Sequence, residues 1–179
     1  MTFKLLSKAA LALAAMGLCL SAASAAYKSE YKLSVVPGAS SGWGQTATFF
    51  ADCVRQKSNG RINIKPYFGA QLMAGKQTSE LLLVRRGAID FALASTINWS
   101  PQIKELNLTA LPFFVANNPD RYKAIDAIEA GKSGKMLEKA IEKTGVKFLG
   151  WSENGFRELT TSKGPIEKPE DMKGMKLRV

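Results

Sequence analysis

The chain has 179 residues, 46% of them hydrophobic and 22% charged, which excludes a disordered polymer and leaves room for one domain and part of another. It holds no histidine, so the commonest general base, the Ser-His and Cys-His nucleophile systems and most zinc sites lack their central residue. The formal charge of +10 first suggests nucleic acid, but the lysines are scattered and no basic run carries interleaved aromatics, so no nucleic acid partner is expected.

Residues 1–26 read as a secretory leader. Lys4 and Lys8 form a positive n-region, residues 9–20 an apolar run, and Ala23-Ser24-Ala25 a small-residue cleavage site. The apolar run falls short of the roughly 18 residues that span a bilayer, and Leu18 before Cys19 does not suit a lipoprotein signal. Setting the leader aside leaves Cys53 as the one cysteine, so no disulfide forms within the mature chain. Export without a disulfide framework points to a periplasmic protein of Gram-negative type that relies on its core.

Residues 31–36 alternate and are rich in strand formers, and Pro37-Gly38 ends them. Ser40-Ser41-Gly42 then caps a helix whose Ala47, Phe50, Cys53 and Val54 recur at three- and four-residue steps until Asn59-Gly60. Cys53 lies on that apolar stripe and reads as a small core residue. Residues 61–65 alternate as a second strand, 68–72 turn away, and 80–86 form a short apolar helix closed by Gly87. Residues 88–94 are nearly all apolar, the pattern of a parallel strand covered on both faces. Strand, helix, strand, helix, strand is a doubly wound α/β opening.

In such sheets ligands sit beyond the carboxyl ends of the strands, which nominates the loops at 36–42, 68–71 and 95–99 as edges of one cleft. Ser95 and Asn98 suit hydrogen bonds to a solute's hydroxyl or carbonyl groups, and Trp99 or Trp43 suits stacking on its apolar side; turn or capping roles are the plain alternative for Ser95 and Asn98. Donors where Ser41-Gly42 opens a helix also suit an anion.

Further on, 108–115 is an apolar connector. Asn118-Pro119-Asp120 starts a helix with Tyr122, Ile125 and Ile128 on its buried side. A second helix spans 134–144, with Met136, Leu137, Ala140 and Ile141 on one stripe and Gly145 as its stop. Gly131-Lys132-Ser133 is not a phosphate loop, because Asp126 stands where the earlier glycine belongs. Residues 146–151 read as another strand. In the tail, Pro169 at a first helical turn, acids after it and Gly174 at its end describe a short helix. The alternation in 175–179 then puts Arg178 at the carboxyl end of a strand, where its planar guanidinium matches a carboxylate by two parallel bonds.

The tail also carries a resemblance. Asn154-Gly155-Phe156-Arg157 and the run from Ser162 through Lys173-Gly174-Met175-Lys176-Leu177-Arg178-Val179 resemble the DctP-type solute-binding subunit of tripartite ATP-independent periplasmic (TRAP) transporters, N-terminal part only. Ser58-Asn59-Gly60-Arg61, Phe68-Gly69-Ala70-Gln71-Leu72, Gly87-Ala88-Ile89-Asp90 and Leu111-Pro112-Phe113 resemble further landmarks of that family.

The resemblance implies a two-lobe periplasmic binding protein fold of the type II-like kind, with the first lobe at 27–150 nearly complete and the start of a second lobe at 151–179, truncated. It implies that Arg178 clamps a solute carboxylate while Arg157 and Asn154 line the same cleft, and that the lobes close over the solute about a hinge. The expected function is that of an extracytoplasmic receptor, a monomer and not an enzyme, without cofactor or metal. It binds a small organic acid and delivers it to TRAP membrane subunits. A binding protein of another importer class and a non-functional fragment are the alternatives.

Overall fold

The computed structural model describes residues 27–115, 118–153, 155 and 159–176. The chain divides into two compact units, Met1–Leu149 and Gly150–Val179. In the first unit three strands, β1 (Tyr31–Val35), β2 (Ile64–Tyr67) and β3 (Phe91–Leu93), form a parallel sheet in the order β2-β1-β3. Leu33 lies opposite Pro66 on one side and Phe91 on the other. Pro66 has no N–H to give a ladder, and β2, at the sheet edge, is where a strand tolerates that loss.

Helix α1 (Gly42–Lys57) follows β1. Ser41 caps it, its Oγ accepting from the Gly44 N–H at 3.0 Å, and Arg55 and Lys57 complement the dipole in the last turn. The stop is built as expected: Asn59 and Gly60 take φ of 52° and 74°, and the Gly60 N–H returns to the Arg55 carbonyl at 2.8 Å. Leu33, Val35, Ala47, Ala51 and Ile64 form the core between α1 and the sheet, with Trp43, Phe50, Val54 and Phe91 packed around it.

Strand β2 begins three residues later than the alternation at 61–65 suggests. Ser58 is the reason. Its carbonyl accepts from the Arg61 N–H and from Arg61 Nε, and its Oγ from the Ile62 N–H at 3.0 Å, so the chain stays tied to the helix end until Asn63. Strand β3 is likewise shorter than 88–94. The Ala88 and Ile89 N–H groups both bond the Leu83 carbonyl, prolonging the turn after α2 (Glu80–Arg85), and the pairing starts with Asp90 N–H on the Lys32 carbonyl at 3.0 Å. Residues 91–93 are half-buried rather than covered on both faces, as suits an edge strand of this sheet.

A 3-10 turn (Gln77–Ser79) leads into α2, and α3 (Thr96–Trp99) follows β3. A 3-10 stretch (Lys104–Ala110) then reaches α4 (Arg121–Ala130) and α5 (Lys132–Glu142). The cap of α4 is Asp120, which accepts from the Lys123 N–H at 3.0 Å, while Asn118 bonds the Asp120 N–H and so shapes the approach. Tyr122 is 55% exposed, and Ile125 and Ile128 are half-buried, so the expected buried side is only partly covered. On α5 Leu137, Ala140 and Ile141 are buried as expected, but Met136 is 47% exposed. Helix α5 begins at Lys132, and a Cβ on Gly134 would lie 1.8 Å from the Glu129 carbonyl oxygen. Glycine is what lets α4 and α5 meet so tightly.

Residues 146–151 form no ladder among the described residues, against the expected strand. A strand needs a partner for its backbone groups, and none of the three strands offers one here. In the second unit, Pro169–Met172 is a 3-10 turn rather than an α-helix, with Asp171 Oδ2 accepting from the Glu167 and Lys168 N–H groups at 3.0 and 3.1 Å. Gly174 follows at φ 77°, the left-handed stop that the sequence suggests.

Candidate functional site

Parallel strands end on the same side, so the three loops that follow β1, β2 and β3 share one edge of the sheet. Two bonds join the first two loops: Gly69 N–H to the Pro37 carbonyl at 3.1 Å and Ala70 N–H to the Val35 carbonyl at 3.4 Å. Ala70 and Ala74 both take left-handed backbone angles, with φ of 57° and 48°, on either side of a short 3-10 turn (Gln71–Met73). For residues with a Cβ such angles cost free energy and persist where surrounding structure imposes them. Gly44 brings α1 against the first loop, where an added Cβ would meet the Ala39 and Gly38 carbonyl oxygens at 2.4 and 2.6 Å.

The third loop carries Ser95, Asn98 and Trp99. Ser95 stands at the N-cap of α3, yet its side chain makes no cap bond, and its carbonyl accepts from the Asn98 N–H at 3.0 Å. Asn98 Nδ2 donates to Gln77 Oε1 at 3.0 Å, which joins α3 to the turn preceding α2. Each amide retains further donor and acceptor capacity beyond that bond. Trp43 is half-buried against the α1–sheet core. Trp99 is 9% exposed, and its indole N–H donates to Glu80 Oε2 at 3.1 Å, so its polar end is already engaged within the unit. Asn154, Arg157 and Arg178 lie outside the described residues.

Behind this edge sits a group that the sequence reading passed over. Glu80 is fully buried; its Oε1 accepts from Ser34 Oγ at 2.5 Å and its Oε2 from Trp99. Burial pushes the Glu80 carboxyl above the usual range, and the Ser34 and Trp99 bonds pull only partly against it. The signal in the sequence was a lone acid heading an otherwise apolar Leu81-Leu82-Leu83-Val84 run, which also reads as an ordinary first-turn acid. Gln77 was missed for the same reason: nothing local says that it faces Asn98.

At the opposite edge Asp90 receives the Lys28 ammonium and the Lys32 N–H, the latter at 2.9 Å. Burial raises the Asp90 carboxyl, but these bonds and the charges of Lys28 and Lys32 outweigh it and leave the group below its ordinary range. A groove of about 430 Å³ lined by Lys132, Lys135, Lys139, Lys143 and Glu105 shares no residue with the loops after the strands. Among the described residues no three His, Cys, Asp or Glu side chains gather as a metal site would require, and no helix is long and apolar enough to cross a membrane.

Comparison with known proteins matches residues 33–179 to the model of the DctP family, bacterial extracellular solute-binding protein, family 7. The 2,3-diketo-L-gulonate-binding periplasmic protein YiaO of Escherichia coli (strain K12) is 30% identical over 129 residues, covering 72% of this chain and 38% of that protein. Among solved structures, a TRAP periplasmic solute-binding protein of Ralstonia eutropha H16 with bound (S)-2-acetolactate is 56% identical, with a TM-score of 0.80 over 86% of this chain and 48% of that one. A TRAP periplasmic solute-binding protein of Sulfitobacter sp. NAS-14.1 with bound β-D-galacturonate is 28% identical, with a TM-score of 0.73 over 84% of this chain and 48% of that one. The chain thus spans about two fifths to one half of the length of these solute-binding relatives. With a family match that runs through the parallel sheet, its loops and the tail, the chain belongs to the DctP family of bacterial extracellular solute-binding proteins.

Proposed function

We propose that this chain is the N-terminal part of a periplasmic receptor that binds a small organic acid and hands it to the membrane subunits of a TRAP transporter, without chemistry on the solute. The observation that carries this reading is the family match through to Val179, which includes the Lys-Gly-x-Lys-x-Arg-Val run that contains Arg178. In this reading residues 1–26 direct export, 27–150 form the first lobe and 151–179 open the second, and the receptor works as a monomer.

The ligands named for the relatives, 2,3-diketo-L-gulonate, (S)-2-acetolactate and β-D-galacturonate, share one carboxylate beside hydroxyl or keto oxygens. The residues divide by the same chemistry. Arg178 takes the carboxylate through its fork of donors, with Arg157 and Asn154 beside it. Ser95 and Asn98 take hydroxyl or keto oxygens, which suits the neutral polar character of the loop after β3. Trp43 contributes a ring face, and Trp99, its indole N–H held by Glu80, contributes ring surface alone.

Calorimetric titration of the full-length protein with (S)-2-acetolactate, D-galacturonate and succinate tests the reading. At least one acid is expected to bind, and Arg178→Ala should then cost about 3–5 kcal/mol, a loss of about two to nearly four orders of magnitude in affinity. Undiminished affinity in that variant would remove Arg178 from the site.

A further inference from the structure

A carboxyl group shut away from water is expensive unless something compensates it, and a cation usually does. Glu80 is fully buried and receives only neutral donors in the hydrogen bonds described: the Ser34 hydroxyl at 2.5 Å and the Trp99 indole N–H at 3.1 Å. A leucine would fill the position at less cost, so the geometry of what Glu80 joins is the informative part. Ser34 belongs to β1, one residue before the strand runs into the first loop. Trp99 ends α3, adjacent to Asn98. Gln77, three residues before Glu80, receives the Asn98 amide at 3.0 Å. Segments 77–80 and 98–99 are therefore clasped twice, by Asn98 to Gln77 and by Trp99 to Glu80, and Glu80 pins the clasp to the central strand.

The indole N–H is a donor only, so it stays buried without penalty only while an acceptor meets it. Removing that acceptor frees Trp99 to turn, and Asn98 turns with the same four-residue helix. The Asn98–Gln77 amide pair and the exposed bond from Gln102 Nε2 to the Thr78 carbonyl at 2.9 Å would remain, but neither reaches β1, so neither fixes the one-turn helix to the central strand.

We infer that Glu80 is a positioning residue for solute binding: its buried carboxyl group fixes Trp99 to β1 and so sets where the Asn98–Gln77 amide pair offers its remaining donors and acceptor. What those amides receive, the hydroxyl or keto oxygens of an organic acid, rests on the function proposed above. The placement of the pair does not.

Two readouts separate the two. In the full-length protein without solute, the side-chain amide resonances of Asn98 and Gln77 should show contacts with each other, should keep them in Glu80→Gln and should lose them in Glu80→Leu. Glutamine preserves both bonds, with Oε1 accepting from the indole and Nε2 donating to Ser34. With (S)-2-acetolactate or D-galacturonate as probe, Glu80→Leu should weaken binding at least tenfold while Glu80→Gln stays within about threefold, and Asn98→Ala should cost much less in the Glu80→Leu background than alone. Should Glu80→Leu fail to fold, Trp99→Phe deletes the donor of the same Trp99–Glu80 bond and serves in its place. A folded Glu80→Leu or Trp99→Phe that keeps the amide contacts, or strictly additive losses from positions 80 and 98, would overturn the inference. If none of the acids binds the wild type, the proposed function fails, and the solute-free resonances alone then decide what Glu80 does.

Discussion

The two ends of the three-stranded sheet are held by different chemistry. At the amino end charge does the joining: the Lys28 ammonium and the Lys32 N–H converge on Asp90, which stands just before β3, and the Lys65 ammonium lies 3.6 Å from the Glu30 carboxylate. At the carboxyl end the links are neutral. They are backbone bonds between the first two loops, the Asn98–Gln77 amide pair, Gln102 Nε2 on the Thr78 carbonyl at 2.9 Å, and the buried Glu80 clasp behind them. If the carboxyl end receives an anion, as proposed above, it is better left without fixed carboxylates at its surface, and Glu80, the carboxyl group behind it, is sealed inside.

The largest effect is expected from the core that both ends share. Leu81 is fully buried beside Glu80, and Leu81→Ala should cost about 2–5 kcal/mol in chemical denaturation of the protein. Amide protection at Asp90 and at Asn98 should fall together. Loss at one end alone would mean that the two are separate folding units and that the contrast drawn above is between neighbours, not between ends of one body.

Gly44→Ala should break the carboxyl end selectively. Its Cβ would press on the backbone oxygens of Gly38 and Ala39, atoms that cannot swing aside as a side chain would, so a cost of about 1–3 kcal/mol is expected. The displaced loop should show as shifted resonances at residues 37–41 and 69–70, with the Lys28–Asp90 pair unmoved. Tolerance of alanine there, without any shift, would mean that the close approach of α1 to the first loop is dispensable.

Local signals in the sequence were sufficient for much of this edge. Ser41 as cap, the Asn59-Gly60 stop, Gly87 and Gly174 as left-handed ends, and the order of strands and helices through β3 all follow from residue type and spacing over a few positions. What failed depends on contacts that residue type and periodicity do not encode, some of them local and some distant in sequence. The start of β2 was displaced by Ser58, whose carbonyl and hydroxyl hold residues 61 and 62 off the ladder, and no alternation pattern encodes that. Residues 146–151 have the composition of a strand but no neighbour to pair with among the described residues. Met136 and Tyr122 fit a helical stripe and yet face outward, because periodicity identifies a face and not what covers it. Glu80 and Gln77 were invisible for the related reason that their partners, Ser34, Asn98 and Trp99, are 19 to 46 residues away. Arg178 is nominated by its place in the 175–179 alternation as well as by resemblance, Arg157 and Asn154 by resemblance alone, and all three lie outside the described residues.

The smallest effects are the most diagnostic, because the two carboxyl groups should respond to pH with opposite sign. Asp90 has its folded pKa lowered, so it binds fewer protons in the native state than in the unfolded one. Its contribution is present above the unfolded pKa and is lost as pH falls through the folded value. Asp90→Asn should cost about 1 kcal/mol near neutrality and should flatten the acid limb of the stability profile, leaving affinity for any acid unchanged. Glu80 has its folded pKa raised by burial, so the native state holds its proton more tightly. Its contribution is complete below the unfolded pKa and is lost as pH rises through the folded value. Glu80→Gln, which cannot ionise, should therefore gain on the wild type as pH rises, in denaturation curves taken across the acid-to-neutral range. Slopes of the same sign in the two variants would mean that Glu80 has a compensating positive charge after all, and the carboxyl end would then differ from the amino end only in how deeply its ion pair is buried.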